Sequence, residues 1–246
     1  MVLNRQFTIY ILQGRVSMNL DRTKSVEDLV NDIHSEDEKT RLMAYALLGE
    51  KDDPRAIEGL LAALETEQPP LKSIVVLGLR GYTDERHIEP LCKYLQDEDK
   101  MTVCNTIEAL SLIMRRTKSY NPVVIKLILN KLYDDDNNIK SQVLDALGRI
   151  GEVAIPYLGP FIYNHDNYIR AWTVLILSYI GTEEAEAIIV KMLKDRSARV
   201  RQTAAKILGY MLRPNVIPFL LEARNDEDPD VREAANHSLE LLRGRE

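Results

Sequence analysis

A leucine recurs at one register along this chain, and this repeat constrains the fold more than any other feature. The repeat can be aligned on seven anchor positions, almost all of them basic: Arg41, Lys72, Val103, Lys140, Arg170, Arg201 and Arg232. The anchors are spaced by 31, 31, 37, 30, 31 and 31 residues. A leucine stands seven residues after each anchor: Leu48, Leu79, Leu110, Leu147, Leu177, Leu208 and Leu239. Self-similarity at such a period is typical of architectures in which each repeat packs on its neighbours.

The residues around each anchor predict an α-helix. Four residues before most anchors stands Asp or Ser, a preferred N-cap because its side-chain oxygen accepts hydrogen bonds from the free amides of the first turn. Pro69 and Pro229 follow this position directly, where the N–H that proline lacks would be unbonded anyway. Apolar residues at three, four and seven after the anchor form a stripe of helical period. Gly49, Gly148 and Gly209, eight after their anchors, predict the helix ends.

A second apolar segment follows each of these helices and predicts a second helix per repeat. These segments are Ile57–Leu64, Ile88–Leu95, Val124–Leu132, Ile155–Ile162, Ile188–Leu193 and Ile217–Leu221. Residues 25–34 predict the second helix of an incomplete first repeat, and residues 229–243 a lone final helix. We therefore predict an all-α fold, a right-handed α-solenoid of about six two-helix repeats with partial terminal units. Extra residues near Met114–Pro122 are expected to project as a turn from one rim.

The motif of each repeat resembles a known family. The pattern Asp-x-x-x-(Arg/Lys)-x-x-Ala-x-x-x-Leu-Gly, followed by Ala-Ile-Pro-x-Leu, resembles the HEAT repeat, and Asp136–Ile162 and Asp228–Leu239 match it best. The 31-residue spacing is similar to that of the phycobilin-lyase-type subfamily. The resemblance covers roughly residues 25–243 and implies that acidic and basic positions form a ladder between stacked repeats. It thus implies a structural role for the anchor arginines Arg41, Arg170, Arg201 and Arg232.

The first residues of the chain are expected to lie outside the repeat domain. Residues 1–17 are predicted to be a tail, and residues 18–246 a single solenoid domain. Residues 7–12 are apolar, but a signal peptide requires a longer apolar core and a small-residue cleavage site. The codons for residues 14–17 can form a purine-rich stretch like a ribosome-binding site, so we predict that translation starts at Met18.

Composition argues against several classes of protein. The net charge of −6 argues against a general nucleic-acid binder, because such proteins carry a basic face. Two cysteines without a CxxC motif favour a reducing, cytoplasmic location. The sequence contains no uninterrupted apolar run of about 18 residues, the length that would indicate a membrane-spanning helix.

Catalytic motifs are also absent from the sequence. It contains no GxSxG, HExxH, P-loop or GxGxxG motif. Deoxyhypusine hydroxylase, an enzyme of HEAT-like fold, binds two irons through repeated His-Glu dipeptides, and this sequence contains no such dipeptide. We therefore expect no catalytic residues, no metal and no cofactor.

One predicted helix is more apolar than the packing of a repeat requires. The segment Ala171–Ile180 carries no charge, and its register predicts that Trp172, Leu175 and Tyr179 face outward on the convex side. A helix that is apolar all round is normally buried all round. The alternatives are tight packing against neighbouring helices, or a docking patch for a partner or a second copy of this chain.

Aromatic residues in the links between repeats form the second candidate site: Tyr133, Tyr163, His165 and Tyr168. Tyr133 and Tyr163 follow the last core residues of successive second helices, so they should lie side by side on one rim. Tyrosines with adaptable polar neighbours suit protein recognition. Arg115 and Arg116 of the insertion could add a basic spot nearby.

These observations favour a non-catalytic, cytoplasmic scaffold or adaptor that binds another protein on its concave face or rim. No nucleic-acid or membrane partner is expected. One alternative is a phycobilin-lyase-like chaperone or lyase subunit that handles a tetrapyrrole, and another is a relative of the metal-dependent hydroxylases. A homodimer through the patch around Trp172 is a further option.

Overall fold

The computed structural model describes residues 21–51, 53–82 and 84–244. The predicted tail and the predicted start at Met18 lie outside these residues. The chain divides into two compact units, unit 1 ending at Ser119 and unit 2 beginning at Tyr120. Each unit is described by itself, and the single domain over residues 18–246 stays a prediction.

Unit 1 is a stack of helix pairs. Its α-helices are α1 (Val26–Asp32), α2 (Glu38–Leu48), α3 (Pro54–Thr66), α4 (Leu71–Leu79), α5 (Ile88–Cys92) and α6 (Lys100–Thr117). Short 3-10 turns at Glu85–His87 and Lys93–Gln96 extend α5 at both ends. The first helices of successive repeats, α2, α4 and α6, pack side by side, and the second helices α1, α3 and α5 cover them.

Unit 2 is also built from packed helices. Its α-helices are α7 (Pro122–Asn130), α8 (Asn137–Ile150), α9 (Gly159–Ile162), α10 (Asn167–Ile180), α11 (Glu183–Met192), α12 (Ala198–Met211), α13 (Ile217–Ala223) and α14 (Pro229–Arg243). The first helices α8, α10, α12 and α14 pack in a row. No strand occurs among the described residues, so the predicted all-helical repeat is confirmed.

The sequence signals act as predicted in most repeats. The seven repeated leucines are at most 4% exposed, so this register marks the core. Most first helices begin at an aspartate whose side chain accepts a hydrogen bond from the first turn: Asp37, Asp99, Asp136, Asp166 and Asp228. Pro229 occupies the first position of α14, as predicted.

The start of α4 differs from the prediction. Pro69 was expected to open this helix, but Pro70 is its N-cap and the helix begins at Leu71. A residue that precedes proline is disfavoured in the α region, and Pro69 precedes Pro70. The helix therefore begins two residues later and lacks a side-chain cap.

The repeated glycine has a different position in the helices of the two units, although a Cβ atom on Gly49 too would lie only 2.7 Å from the next repeat, at Gly78 Cα. Gly49 ends α2, as predicted, but Gly148 and Gly209 lie inside α8 and α12. A Cβ atom on Gly209 would lie 2.3 Å from Ser238 Oγ and 2.8 Å from Ser238 Cα. The glycine is therefore required for the close approach of α12 and α14 rather than for the end of a helix.

The extra residues of the third repeat lengthen a helix and do not form a projecting turn. Helix α6 runs to Thr117, and Met114, expected in the turn, is fully buried within it. Leu110, Ile113 and Met114 continue the apolar stripe at helical spacing, so the helix continues too. It ends at Lys118, whose φ of 55° is left-handed.

The segment predicted as a helix at Ile155–Ile162 is irregular. Residues Gly151–Tyr157 form a 3-10 helix, and one turn of α-helix, α9, follows. Pro156 lies inside the 3-10 segment and has no N–H to donate, so a regular α-helix cannot pass through it.

Candidate functional site

The anchor arginines of unit 2 connect successive repeats. Arg170 donates from Nε and Nη2 to the Asp195 carboxylate, both at 2.8 Å, and from Nη1 to the carbonyl oxygen of Asn164 at 2.7 Å. Arg201 donates in the same way to Asp226, at 2.8 and 2.7 Å, and to the carbonyl oxygen of Asp195 at 3.0 Å. Each buried guanidinium thus binds the link before its own helix and the link of the next repeat.

Unit 1 contains a weaker form of this ladder. Arg41 Nε lies 2.6 Å from Glu67 Oε1, and Lys72 Nζ lies 3.1 Å from Asp97 Oδ2. Lysine offers a point charge in place of the planar fork of arginine, so its pairing is less directional. The ladder that the resemblance implies is therefore present within each unit, and its role is structural.

Acid should weaken the ladder in unit 2. The hydrogen bond from Arg201 holds the pKa of Asp226 below its usual range. A depressed folded-state pKa gives stability that is present above the unfolded-state pKa and lost as pH falls through the folded-state pKa. We predict that Asp226→Asn is less stable than the wild type at pH 7, and that the difference narrows between about pH 5 and pH 2. Urea unfolding over this pH range measures it, and a constant difference would contradict it.

Exposed tyrosines lie on two successive links of unit 2 and in the first turn of α10. Tyr133, Tyr163 and Tyr168 are 53%, 86% and 57% exposed. The Nδ2 of Asn164 donates to the Tyr133 hydroxyl at 2.7 Å, and the Tyr133 and Phe161 rings are 5.8 Å apart. Tyr133 and Tyr163 thus occur on neighbouring links that a hydrogen bond joins. His165 is exposed in the second of these links.

Two arginines beside these tyrosines were missed from the sequence. The Arg199 guanidinium carbon lies 4.4 Å from the centre of the Tyr168 ring, a cation–π contact. Arg196 Nη2 donates to the carbonyl oxygen of His165 at 3.1 Å. The sequence signal was the segment Asp195–Arg199, which contains two arginines but only one acid. That acid, Asp195, already pairs with the ladder residue Arg170. We call Tyr133, Tyr163, Tyr168, Arg196 and Arg199 the tyrosine–arginine rim.

The uncharged helix α10 is only partly exposed. Trp172 and Leu175 are half-buried, while Tyr179 is 57% exposed. The α12 residue at the same register, Tyr210, is exposed too. Tyr179 packs its Cβ against Gly148 of α8, so part of this surface is used within unit 2. A homodimer through this patch stays a prediction.

The basic residues of the insertion lie at the end of α6 in unit 1. Arg116 Nη1 donates to the carbonyl oxygens of Arg80 and Gly81, at 2.7 and 3.0 Å, and so binds free carbonyls at the end of α4. Arg115 is exposed. Their predicted contribution to partner binding stays a prediction.

Unit 1 contains a groove with acidic walls. It has a volume of about 650 Å³ and is lined by Asp53, Pro54, Ile57, Tyr82, Asp84, Glu85 and Thr117. Hydrogen bonds from Arg86 lower the pKa of Asp84 to about 2, and those from Arg55 lower the pKa of Asp53. Both carboxylates are therefore charged at neutral pH. We call this the acidic groove.

The histidines do not converge on one site. His34, His165 and His237 are exposed on three different repeats, and His87 is half-buried on a fourth. Within the described residues, no group of three or more His, Cys, Asp and Glu side chains could hold a metal ion. The residues present therefore do not fit a di-iron centre built from His-Glu pairs.

Comparison with known proteins settles the type of repeat. The model of the family "HEAT repeats" matches residues 155–240, about a third of the chain. Residues 155–240 therefore match HEAT repeats, as predicted. The predicted α-solenoid fold is confirmed as well.

Solved structures agree on this fold. A chain in a structure of Kap95p with RanGDP is 16% identical with a TM-score of 0.61, over 93% of this chain and 36% of that chain. The complex of CpcE and CpcF of phycocyanin lyase from Nostoc is 18% identical with a TM-score of 0.49, over 93% and 97% of the two chains. At 16% identity, the likeness to the chain in the Kap95p–RanGDP structure concerns the fold alone. The likeness to the phycocyanin lyase complex, with its TM-score of 0.49, supports no further conclusion.

One curated relative corrects the expected function. Deoxyhypusine hydroxylase of Drosophila pseudoobscura pseudoobscura is 26% identical over 201 residues, which is 79% of this chain and 61% of the relative. The chain thus spans less than two thirds of that enzyme's length. Because this relative is an enzyme, the predictions of a non-catalytic scaffold and of a protein without enzymatic activity are wrong.

Within the described residues, no helix combines the length and apolar character needed to cross a membrane.

Proposed function

We propose that this chain is an enzyme related to deoxyhypusine hydroxylase that modifies an amine-bearing, lysine-derived side chain of a protein. The alignment with the fruit-fly enzyme carries the proposal. Its 201 residues exceed the length of either compact unit, so it includes residues of both. A likeness confined to one helix pair would reflect the repeat only, whereas this one extends over several repeats.

The acidic groove supports a cationic substrate. Asp53, Asp84 and Glu85 provide carboxylates around a space of about 650 Å³, large enough for an extended aliphatic side chain. A protonated amine is attracted to ionised carboxylates. Among the described residues Glu85 forms no salt bridge, whereas Asp53 and Asp84 also pair with Arg55 and Arg86. Ile57 and Pro54 add apolar surface for methylene groups.

The proposal assigns no catalytic step to a metal, because the described residues do not fit a di-iron centre built from His-Glu pairs. The proposal concerns the substrate class and the outcome: one oxygen atom of O2 enters a C–H bond of the substrate to give C–OH, and the other leaves as water with two electrons and two protons from a reductant such as ascorbate.

The decisive experiment is a mass measurement of a protein substrate. The purified chain is incubated in air with a deoxyhypusine-bearing protein, with and without added ferrous iron and ascorbate. We expect an increase in substrate mass equal to one oxygen atom. The fruit-fly enzyme is the positive control. If that control hydroxylates the substrate and this chain does not under either condition, the proposed activity is wrong.

Neutralising the acidic groove should weaken substrate binding. We predict that the double variant Asp84→Asn/Glu85→Gln raises KM about 2- to 30-fold, since each exposed charge pair contributes about 0.2–1 kcal/mol. The matched control is Glu89→Gln/Glu98→Gln, which removes the same charge from exposed positions outside the groove. An equal rise in KM for both variants would mean that net charge acts and the groove does not.

We further propose a cytoplasmic location. The cysteine content supports it, because the sequence has only two cysteines and no CxxC motif, as is usual for proteins of a reducing compartment. Cell fractionation followed by detection of the chain tests this, and recovery with a secreted or membrane fraction would contradict it.

A further inference from the structure

The tyrosine–arginine rim of unit 2 is held in place by its own contacts. Asn164 Nδ2 donates to the hydroxyl of Tyr133, at 2.7 Å, and Arg196 Nη2 to the carbonyl oxygen of His165, at 3.1 Å. The Arg199 guanidinium rests on the Tyr168 ring. These contacts join three successive links. A partner that binds here therefore orders fewer side chains than it would on a mobile surface, which favours binding.

The rim arginines differ from the ladder arginines in their charge partners. Arg170 and Arg201 are buried and paired with Asp195 and Asp226. In the part of the chain that the structure describes, neither Arg196 nor Arg199 forms a salt bridge, although both are exposed. Two guanidinium groups with free donors thus stand next to exposed tyrosine rings.

This chemistry matches carboxylates on an extended protein segment. A guanidinium binds a carboxylate through two parallel hydrogen bonds, and the neighbouring rings offer apolar contact to the same segment. Tyrosine and arginine are also enriched among the residues that dominate binding energies at protein interfaces. Nucleic acid is disfavoured, because the chain has a net charge of −6 and backbone phosphates require an extended basic face.

We propose that the tyrosine–arginine rim docks an acidic segment of a protein. In one respect this rests on the proposed function, because the segment is then expected to belong to the protein substrate. The rim would position that substrate while its amine-bearing side chain is modified elsewhere on the enzyme. The surface itself is defined by unit 2 alone and can be tested without any activity.

Fluorescence anisotropy of the full-length chain tests the proposal. The probe is a fluorescein-labelled ten-residue peptide of alternating Glu and Gly, compared with peptides in which Gln or Lys replaces Glu. We expect saturable binding of the Glu peptide only, weakened by added salt. The variant Arg196→Glu/Arg199→Glu should weaken binding at least about tenfold, since two charge-assisted hydrogen-bonding groups are lost. Tyr163→Ala should weaken it less and leave the circular dichroism spectrum unchanged.

The matched control is Lys206→Glu/Arg224→Glu, which makes the same change in charge at exposed positions of unit 2 outside the rim. It should bind the Glu peptide with nearly wild-type affinity. Equal weakening in both double variants, or equal binding of the Glu and Gln peptides, would overturn the proposal. So would tighter binding of single-stranded RNA than of the Glu peptide. Peptide binding by a chain that hydroxylates no substrate would support the rim and refute only the proposed activity.

Discussion

Replacing Arg201 by methionine should lower the free energy of unfolding by about 3–5 kcal/mol, the usual cost of removing one member of a buried ion pair. The Arg201 side chain is only 9% exposed and that of Asp226 12%, so the carboxylate loses its partner in a place that water reaches poorly. The carbonyl oxygen of Asp195 loses its donor as well. Urea unfolding at pH 7, followed by circular dichroism, measures the difference.

The double variant Arg201→Met/Asp226→Leu distinguishes the contribution of the ion pair to stability from that of side-chain packing. Replacing both members of a buried pair with apolar side chains is often close to neutral, so this variant should recover most of the loss. Arg232→Met is the companion single variant, because Arg232 donates to the carbonyl oxygens of Asp226 and Glu227 at 2.8 Å. Among the described residues it forms no salt bridge, so its loss should be smaller. An Arg201→Met variant as stable as Arg232→Met would contradict the role of the ladder.

The fold was predictable from the sequence because its main signals are local. Leucine and the aspartate cap recur at fixed distances from the anchors, and each acts within one helix and its neighbour. The predictions were wrong at positions whose structure depends on a contact with another repeat. Gly209 resembles a helix end in the sequence, but its real neighbour is Ser238 in the next repeat, and no pattern within a single helix contains that distance.

The candidate site was only partly predictable, for a similar reason. Tyr133 and Tyr163 follow core residues at equivalent positions, so their shared location can be inferred by counting. The stacking of Arg199 on Tyr168 joins the first turns of α12 and α10, about one repeat apart, and it depends on how these two helices pack.

Function was harder to predict because a repeat fold carries many activities. The sequence contains no short catalytic motif and no His-Glu pair, a pattern that favours a non-enzyme. The similarity to deoxyhypusine hydroxylase is spread thinly over 201 residues instead. A fold class does not imply an activity, and neither does the lack of a short motif exclude one.

Replacing Leu208 with alanine should lower the free energy of unfolding by about 2–5 kcal/mol, as for other buried leucines. Leu208 is fully buried in α12, the helix that packs between α10 and α14. The close approach of Gly209 to Ser238 leaves the backbone of α14 little freedom to move into the space that the smaller side chain vacates. The cost should therefore fall in the upper part of that range, since it rises with the volume of the remaining cavity.

Leu221→Ala is the matched control, because Leu221 is a leucine of the same unit that is 41% exposed. It should cost about 0.5 kcal/mol or less, the usual effect of a surface substitution. Leu110→Ala makes the same buried change in unit 1. If the two units unfold independently, urea unfolding should show two transitions, with Leu208→Ala moving one midpoint and Leu110→Ala the other. If they unfold as one cooperative body, both variants should move a single transition. In either case a Leu208→Ala variant no less stable than Leu221→Ala would contradict the assignment of the leucine register to the core.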